Sequence, residues 1–264
     1  MGKFIPSKKK SDSKSVKERF AFLSWLDPFT YVDNYVLPHV KKKTESKVVE
    51  GIINIFFAAI FAFIVYTLLG VLFGTASPLV IVYSASMEDV YYRGDVIALA
   101  SANQNTFFGP EINLNKHIAK APVDTYAQLQ YSENALEKIV FENGEEIILN
   151  QKGSVIVYGS YPVGLPIIHR TVAKINALDG TFVLTKGDNQ NTNPTIDQDC
   201  GRIDSIRLST DKPCITFYAI PVEQIQGVAF AQLPKVGCVK LWLVDDLFSL
   251  ITRGQLPNDF KGIC

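Results

Sequence analysis

The sequence of 264 residues predicts a mainly β protein, in which a β-rich extracytoplasmic domain follows a single N-terminal transmembrane helix. Two observations lead to this prediction. No charged residue occurs between Glu50 and Glu88, and residues 52–73 within that interval are apolar almost throughout. Beyond them, short β-branched runs alternate with glycine, asparagine, aspartate and proline, a pattern typical of strands joined by turns.

The charge balance argues against two broad classes of protein. The chain has 26 Lys and Arg against 26 Asp and Glu, and 47% of its residues are hydrophobic. These values are unlike those of a disordered chain, or of a nucleic-acid-binding protein that relies on bulk positive charge. The charge is unevenly distributed, because residues 1–50 carry 11 basic and 6 acidic side chains while the remainder carries 15 and 20.

The apolar run is long enough to cross a bilayer. A hydrocarbon core of about 30 Å needs about 20 helical residues at about 1.5 Å each. Fifty residues precede the run, which favours a retained helix at residues 51–74 over a cleavable signal peptide. Lys41, Lys42, Lys43 and Lys47 lie on its N-terminal side, so the positive-inside rule predicts that residues 1–50 are cytoplasmic and the rest lies outside.

Two segments precede the predicted span. Residues 3–17 are rich in lysine and serine and are expected to lack regular structure. Residues 20–35 are aromatic, and two alternatives stay open for them: a segment in the membrane interface or a small cytoplasmic helical foot. Together they make residues 1–50 a basic and aromatic cytoplasmic region.

The remainder is predicted to form a β domain over residues 75–238 and a C-terminal amphipathic segment over residues 239–264. The predicted strands cover residues 79–83, 96–100, 139–141, 146–149, 155–158, 170–175, 181–185, 215–219 and 226–230. Asn143-Gly144 and Asp179-Gly180 predict tight hairpin turns, because both dipeptides accept positive φ. Outside the membrane, a longer helix is considered only at residues 126–138. The length and charges of the C-terminal segment argue against a second span, so it is expected to lie against the domain or the membrane surface.

A serine, a histidine and an aspartate occur in a suggestive order in the β domain. Ser86 lies about ten residues beyond the apolar run, His169 begins a β-branched run, and Asp188 and Asp197 follow. Serine is a weak nucleophile and needs a base, and a neutral imidazole can take its proton near neutral pH. A carboxylate on the second ring nitrogen would orient that imidazole. A lone histidine at a strand edge is otherwise most often structural, so this order is a hypothesis.

Five sequence boxes then make the hypothesis specific. They are Ser84-Ala85-Ser86-Met87 with Arg93-Gly94-Asp95-Val96-Ile97, Gly153-Ser154-Val155-Ile156-Val157-Tyr158, His169-Arg170-Thr171-Val172, Lys186-Gly187-Asp188-Asn189, and Ile225-Gln226-Gly227 with Leu233-Pro234-Lys235-Val236-Gly237. The boxes occur in this order over about 150 residues. In them the chain resembles type I signal peptidases of the archaeal and endoplasmic-reticulum kind. The resemblance implies a membrane-bound serine endopeptidase that removes signal peptides from exported preproteins after small residues.

The resemblance also implies roles for individual residues. Ser86 corresponds to the nucleophile, and His169 stands where the bacterial branch of the family has a catalytic lysine. The backbone N–H of Ser86 and the hydroxyl of Ser84 would form the oxyanion hole. Two downstream aspartates are implied, of which the second is the acid of the triad.

The chain departs from the family pattern around these aspartates. The second aspartate usually follows the Gly-Asp motif by about six residues, but that position is Pro194. An insertion of about three residues would make Asp197 the acid and leave Asp188 to brace the loop, with Asp199 as another candidate. Asp89 stands where proline is common, and residues 101–150 match nothing in the family, as expected of a variable subdomain.

No metal or other cofactor is predicted, because three scattered histidines offer no ligand cluster and no glycine loop could hold a phosphate. Cys200 and Cys214 could form a disulfide, and Cys238 and Cys264 could equally be free. The expected partners are preproteins, the lipid bilayer and the secretion translocon, but not nucleic acid. The expected location is the cell membrane or the endoplasmic-reticulum membrane.

Two other functions stay open at this stage. The first is a Ser-Lys protease in which Lys174 or Lys186 is the base. The second is a catalytically inactive membrane-anchored β domain that binds secretory partners.

Overall fold

The computed structural model describes residues 28–41, 46–200, 214–254 and 264. The predicted lysine and serine tract, the first part of the aromatic stretch, and Lys42 and Lys43 lie outside the described residues. The chain divides into two compact units, with the boundary between Leu68 and Leu69.

The first unit contains short helical segments and most of one long helix. The short segments are α1 (Pro28–Tyr31), a π-helical turn (Val32–Val36) and α2 (Leu37–Lys41), and the long helix is α3 (Lys47–Phe73). The most apolar part of α3 has a mean hydropathy of 2.6 and no buried residue. Among the described residues, α3 is the one helix long and apolar enough to cross a bilayer, as the sequence predicts.

The second unit is built on an eight-stranded sheet. Its strands follow the order β1-β2-β11-β7-β8-β9-β10, all neighbours being antiparallel, and β3 pairs with β8 in parallel. The strands are β1 (Leu79–Ile81), β2 (Val96–Ala100), β3 (Glu111–Asn113), β7 (Val155–Ser160), β8 (Leu165–Ala177), β9 (Gly180–Lys186), β10 (Ile220–Pro221) and β11 (Ile225–Leu233). The short strand β1 forms one edge of this sheet and leads directly to Ser84 and Ser86.

A second, three-stranded sheet is formed by β4 (Ala127–Ser132), β5 (Ala135–Phe141) and β6 (Glu146–Ile148). Residues of this sheet, such as Ile139 and Phe141, share one hydrophobic core with Ile175 and Leu184 of the large sheet. A second hydrophobic core contains Ile156 and Tyr158 of β7 together with Val183 of β9 and Ile220 of β10. The antiparallel β architecture confirms the predicted fold class.

Two local predictions are wrong. Residues 126–138, where a helix was considered, form the β4–β5 hairpin. Its turn has φ of 52° at Glu133 and 87° at Asn134, so both turn residues adopt the left-handed conformation of a two-residue hairpin. Residues 215–219 are not a strand; they form a loop whose ends are buried, with Ile215 and Ala219 4% and 2% exposed, while Phe217 and Tyr218 are exposed.

The cysteines are paired, so Cys238 and Cys264 are not free. One disulfide joins Cys200 to Cys214, as the sequence allowed, and the other joins Cys238 to the last residue, Cys264. The second disulfide lies against Gly94, where a Cβ atom would be 2.3 Å from either sulfur. Gly94 also has φ of +86°, so both the space and the backbone conformation require glycine there. The C-terminal segment that this disulfide closes, from Cys238 to Cys264, contains α4 (Cys238–Lys240), a π-helical turn (Leu241–Leu247) and α5 (Phe248–Arg253).

Candidate functional site

The turn after β1 carries the two serines. Met87, which is fully buried, anchors this turn, and the backbone N–H groups of Val90 and Tyr91 donate to its carbonyl oxygen. Ser86 is half-buried and Ser84 is exposed. Their hydroxyl oxygens lie 3.1 Å apart, so the two side chains point into the same space.

The serine turn is held against the end of β9. The backbone N–H of Asn189 donates to the carbonyl oxygen of Ser86 at 3.0 Å, and the Asn189 side-chain amide donates to that of Ala85 at 2.9 Å. Gly187 makes this approach possible, because a Cβ atom there would lie 2.5 Å from the Ser86 carbonyl oxygen. The Lys186-Gly187-Asp188-Asn189 box therefore fixes the backbone of the serine box.

The histidine and one of the aspartates meet in the interior. His169 lies on β8 and is 2% exposed, and Asp197 is fully buried. Nδ1 of His169 is 2.7 Å from Oδ2 of Asp197. Because an ionised carboxylate only accepts hydrogen bonds, this contact assigns the proton to Nδ1 and leaves the lone pair of a neutral imidazole on Nε2.

Among the described residues, no hydrogen bond joins Ser86 to His169; the hydroxyl of Ser86 contacts that of Ser84, and the imidazole contacts Asp197. Nucleophile–base contacts are commonly loose in the absence of substrate and shorten when it binds. The structure thus brings together Ser84 with Ser86, and His169 with Asp197.

Asp197 is held from several directions. Oδ2 accepts hydrogen bonds from the Tyr158 hydroxyl at 2.7 Å and the Thr185 hydroxyl at 2.6 Å, in addition to His169. Its backbone N–H donates to the carbonyl oxygen of Thr185, and its carbonyl oxygen accepts from the N–H of Thr216. Oδ1 is buried and has no hydrogen-bond partner within residues 28–41, 46–200, 214–254 and 264. Burial, and then the negative charge of Asp197, raise the pKa of Tyr158 well above its ordinary value, so its hydroxyl stays a donor.

The other two candidate aspartates have different partners. Asp188 accepts two hydrogen bonds from the guanidinium of Arg170, at 2.8 and 2.7 Å. Arg170 also donates to the carbonyl oxygen of Gly153 at 2.6 Å. Asp199 accepts from the hydroxyls of Thr195 and Tyr131. Asp197 is therefore the candidate that contacts the imidazole.

The two lysines considered as alternative bases are also occupied. Lys174 forms an ion pair with Glu111 at 2.7 Å and donates to the carbonyl oxygen of Gln104. Lys186 is 6% exposed and donates to the carbonyl oxygen of Gly187 at 2.8 Å. Burial lowers the pKa of Lys186, and the carboxylates of Asp188 and Asp197 oppose this shift.

A polar cavity of about 620 Å³ borders Arg170, Lys186, Gly187 and Asp188, together with residues of the small sheet. Neither Ser86 nor His169 lines it. Among the described residues, no group of three or more His, Cys, Asp or Glu side chains could hold a metal ion.

Asp95 connects two further sequence boxes. It is 1% exposed and accepts hydrogen bonds from the backbone N–H groups of Tyr92 and Lys235 and the side chain of Gln232. The Arg93-Gly94-Asp95 box is thus bound to the end of β11. Asp89 has φ of 83°, which proline cannot adopt, so the departure from the family pattern at this position fits the backbone.

Comparison with known proteins finds similar sequences. The chain is 27% identical over 194 residues to the signal peptidase complex catalytic subunit of Schizosaccharomyces pombe, covering 74% of this chain and 82% of that protein. It is 25% identical over 201 residues to the corresponding subunit of Saccharomyces cerevisiae, covering 76% of this chain and 86% of that protein. The homologues of the chain are thus catalytic subunits of signal peptidase complexes, the endoplasmic-reticulum kind of type I signal peptidase. No family model matches it.

The candidate site includes two residues that the sequence did not reveal. Tyr158, at the end of one sequence box, and Thr185, directly before another, both contact the carboxylate of Asp197. A hydroxyl within a strand carries no sequence signal of its own. Tyr158 and Thr185 lie on β7 and β9, the two strands that flank β8, which carries His169.

Proposed function

We propose that this chain is a membrane-anchored serine endopeptidase that cleaves N-terminal signal peptides from exported preproteins after small residues. The contact of His169 with Asp197, in a chain homologous to signal peptidase catalytic subunits, is the observation that carries the proposal. Ser86 is the nucleophile, His169 the general base, Asp197 the acid of the triad and Asp188 the brace of the adjoining loop.

In the proposed mechanism, Nε2 of His169 takes the proton of the Ser86 hydroxyl as the serine attacks the scissile carbonyl carbon. Asp197 holds the tautomer with the proton on Nδ1 and stabilises the imidazolium that forms. The Ser84 hydroxyl and the Ser86 backbone N–H donate to the tetrahedral oxyanion. The imidazolium then protonates the leaving amine, and water hydrolyses the acyl-enzyme by the same proton transfers.

Edge strand β1 supports an extended mode of substrate binding. It pairs with β2 and ends shortly before Ser84. A preprotein segment could add to its free edge as a further strand and present alternate side chains to shallow pockets beside Ser86. Small side chains at the first and third positions before the cleaved bond would then fit that surface.

The membrane anchor supports the choice of substrate. Ser86 follows the end of α3 by only thirteen residues, and a signal peptide is itself embedded in the bilayer. Confining both to one layer raises their effective concentration. We propose that the N-terminus is cytoplasmic and the β domain extracytoplasmic, that the protein lies in the endoplasmic-reticulum or cell membrane, and that it acts with complex partners and receives preproteins from the translocon.

Cleavage of a model preprotein in liposomes, with sequencing of the product termini, tests the assignment. Ser86→Ala and His169→Ala are expected to reduce cleavage to background. Asp197→Asn is expected to reduce it by about 10⁴-fold, because the amide favours the wrong imidazole tautomer. Asp199→Asn is the matched control and is expected to retain most of the activity. Equal losses in the two asparagine variants would contradict Asp197 as the acid, and cleavage by Ser86→Ala would contradict the nucleophile.

A Ser-Lys mechanism is the second candidate, because Lys186 is buried close to the serine turn and its pKa is lowered by that burial. It predicts that His169→Ala still cleaves and that the pH profile lacks a limb near the pH at which imidazole titrates. The proposed Ser-His mechanism predicts the opposite result for both measurements.

A further inference from the structure

Three donors converge on a single oxygen of the buried carboxylate of Asp197. Nδ1 of His169, the Tyr158 hydroxyl and the Thr185 hydroxyl all lie within 2.7 Å of Oδ2, whereas Oδ1 has no hydrogen-bond partner among the described residues. Tyr158 and Asp197 are fully buried, and so is Thr185. The carboxylate is thus shielded from bulk solvent, and the two hydroxyls supply hydrogen bonds that an ionised carboxylate needs.

These hydroxyls matter because the resting base must be neutral. A buried carboxylate whose one partner was the imidazole would be stabilised most by imidazolium, the form that cannot accept the proton of Ser86. Two neutral donors on Oδ2 compensate much of the carboxylate charge without adding a positive one. The imidazole can then stay neutral beside an ionised Asp197 at neutral pH.

We propose that Tyr158 and Thr185 are positioning residues for the catalytic triad, which keep Asp197 ionised and aligned while His169 remains neutral. This inference rests on the proposed function of Ser86 and His169. Neither hydroxyl touches the reacting atoms; both act through Asp197. Thr185 is held in turn by Gln198, whose side-chain oxygen accepts its backbone N–H at 3.2 Å.

The other charged groups near the triad are few. Lys186, the residue after Thr185, is close enough to Asp197 for the carboxylate to raise its pKa against the stronger effect of burial. Asp188 also raises the pKa of Lys186, and Asp188 is itself paired with Arg170. None of these groups donates a hydrogen bond to Asp197, so the hydroxyls of Tyr158 and Thr185 are the compensating donors.

Removing one hydroxyl should move the acid limb of the pH profile of kcat/KM upward. With less compensation on Oδ2, the carboxylate favours imidazolium more strongly, so the inactive protonated form persists to higher pH. A hydrogen bond to a charged group corresponds to a shift of about one pH unit. Tyr158→Phe and Thr185→Val are each expected to shift the limb by about this amount, which lowers kcat/KM by about tenfold at pH values well below the limb and by about threefold near neutral pH.

The chain provides a matched control for each variant. The hydroxyl of Tyr126 and that of Thr171 are also buried, and neither has a hydrogen-bond partner in the part of the chain that the structure describes. Tyr126→Phe and Thr171→Val therefore remove the same atoms from buried sites that do not contact Asp197. Both should leave the acid limb where the wild type has it, and Thr185→Ser should restore the limb because serine keeps the hydroxyl.

The experiment measures kcat/KM against pH for the full-length chain in liposomes, with NMR titration of the imidazole of His169, one of three histidines in the chain. We expect the acid limb of kcat/KM and the imidazole titration to shift upward in Tyr158→Phe and Thr185→Val. Neither should shift in the two control variants. Activity loss with an unmoved limb and an unmoved imidazole titration would overturn the positioning role. Ser86→Ala is run in parallel: if it still cleaves, the proposed nucleophile fails, whereas the imidazole titration still tests the hydroxyl contacts.

Discussion

Gly187 offers a direct test of how the serine turn is held. A Cβ atom at this position would lie 2.5 Å from the carbonyl oxygen of Ser86 and 2.8 Å from Cγ of Asn193. Ordinary contacts begin at about 3.4 Å, so Gly187→Ala must displace the backbone of Ser86 by about 0.9 Å (3.4 − 2.5) unless β9 itself moves. The obstacle is backbone, which cannot rotate away as a flexible side chain can.

A displacement of that size should be costly for a nucleophile. A misplacement of about 1 Å at a reacting group lowers a rate by about 100-fold, or about 2.7 kcal/mol in the activation free energy. The Gly187→Ala variant is therefore expected to lose about 100-fold in kcat, with a smaller change in KM. The strain should also lower the free energy of unfolding by about 1–3 kcal/mol.

Cleavage kinetics on a model preprotein and thermal unfolding measure the two effects. Gly159→Ala is the control, because the nearest atom to its added Cβ is the end of the Gln226 side chain at 3.7 Å. It should cleave within about threefold of the wild type. If Gly187→Ala cleaved as fast as Gly159→Ala with an unchanged melting temperature, the serine turn could not be fixed by its contact with β9.

Three further outcomes are expected. Asp188→Asn should lower the free energy of unfolding by about 3–5 kcal/mol in thermal denaturation, because it leaves the buried guanidinium of Arg170 uncompensated; an unchanged melting temperature would contradict the bracing role. Lys186→Met should cleave within about tenfold of the wild-type rate and leave the acid limb of kcat/KM in place, since the ammonium of Lys186 contacts the carbonyl oxygen of Gly187. Abolished cleavage would favour the Ser-Lys mechanism. Cys264→Ser should lower the free energy of unfolding by about 3 kcal/mol, because the disulfide to Cys238 is lost. Reductant should then lower the free energy of unfolding of this variant less than it lowers that of the wild type.

The sequence predicted those strands in which local pattern and tertiary pairing agree. The predicted strand at residues 96–100 coincides with β2, and the Asn143-Gly144 and Asp179-Gly180 turns connect β5 to β6 and β8 to β9. The prediction at residues 215–219 failed because the apolar residues Ile215 and Ala219 are buried in a loop, while Phe217 and Tyr218 are exposed. The backbone groups of this loop bond to the Ser160 hydroxyl and to Asp197 rather than to a neighbouring strand.

The hairpin at residues 126–138 was missed for a different reason. Its turn requires positive φ at Glu133, and glutamate is not a residue that signals such a turn. The hairpin also contacts the loop that carries Asp197. The backbone N–H of Leu136 donates to the carbonyl oxygen of Pro194 at 2.8 Å, and the Tyr131 hydroxyl lies 2.7 Å from that of Thr195. A segment without family resemblance thus contacts the loop that carries Asp197.

Spacing alone could not distinguish the three candidate aspartates. In the family the second aspartate follows the Gly-Asp motif by about six residues, and the insertion inferred before Asp197 makes this distance longer here. Their partners distinguish them. A carboxylate paired with a guanidinium, as Asp188 is with Arg170, has its charge compensated by a permanent cation and has little left to stabilise a transient imidazolium. Asp199 contacts the hydroxyls of Thr195 and Tyr131. Asp197 contacts the imidazole and is compensated by neutral donors, which leaves its charge available when His169 becomes protonated. The same reasoning explains why hydroxyls, rather than a further cation, occupy Oδ2: a permanent cation there would weaken the attraction that makes imidazole a useful base.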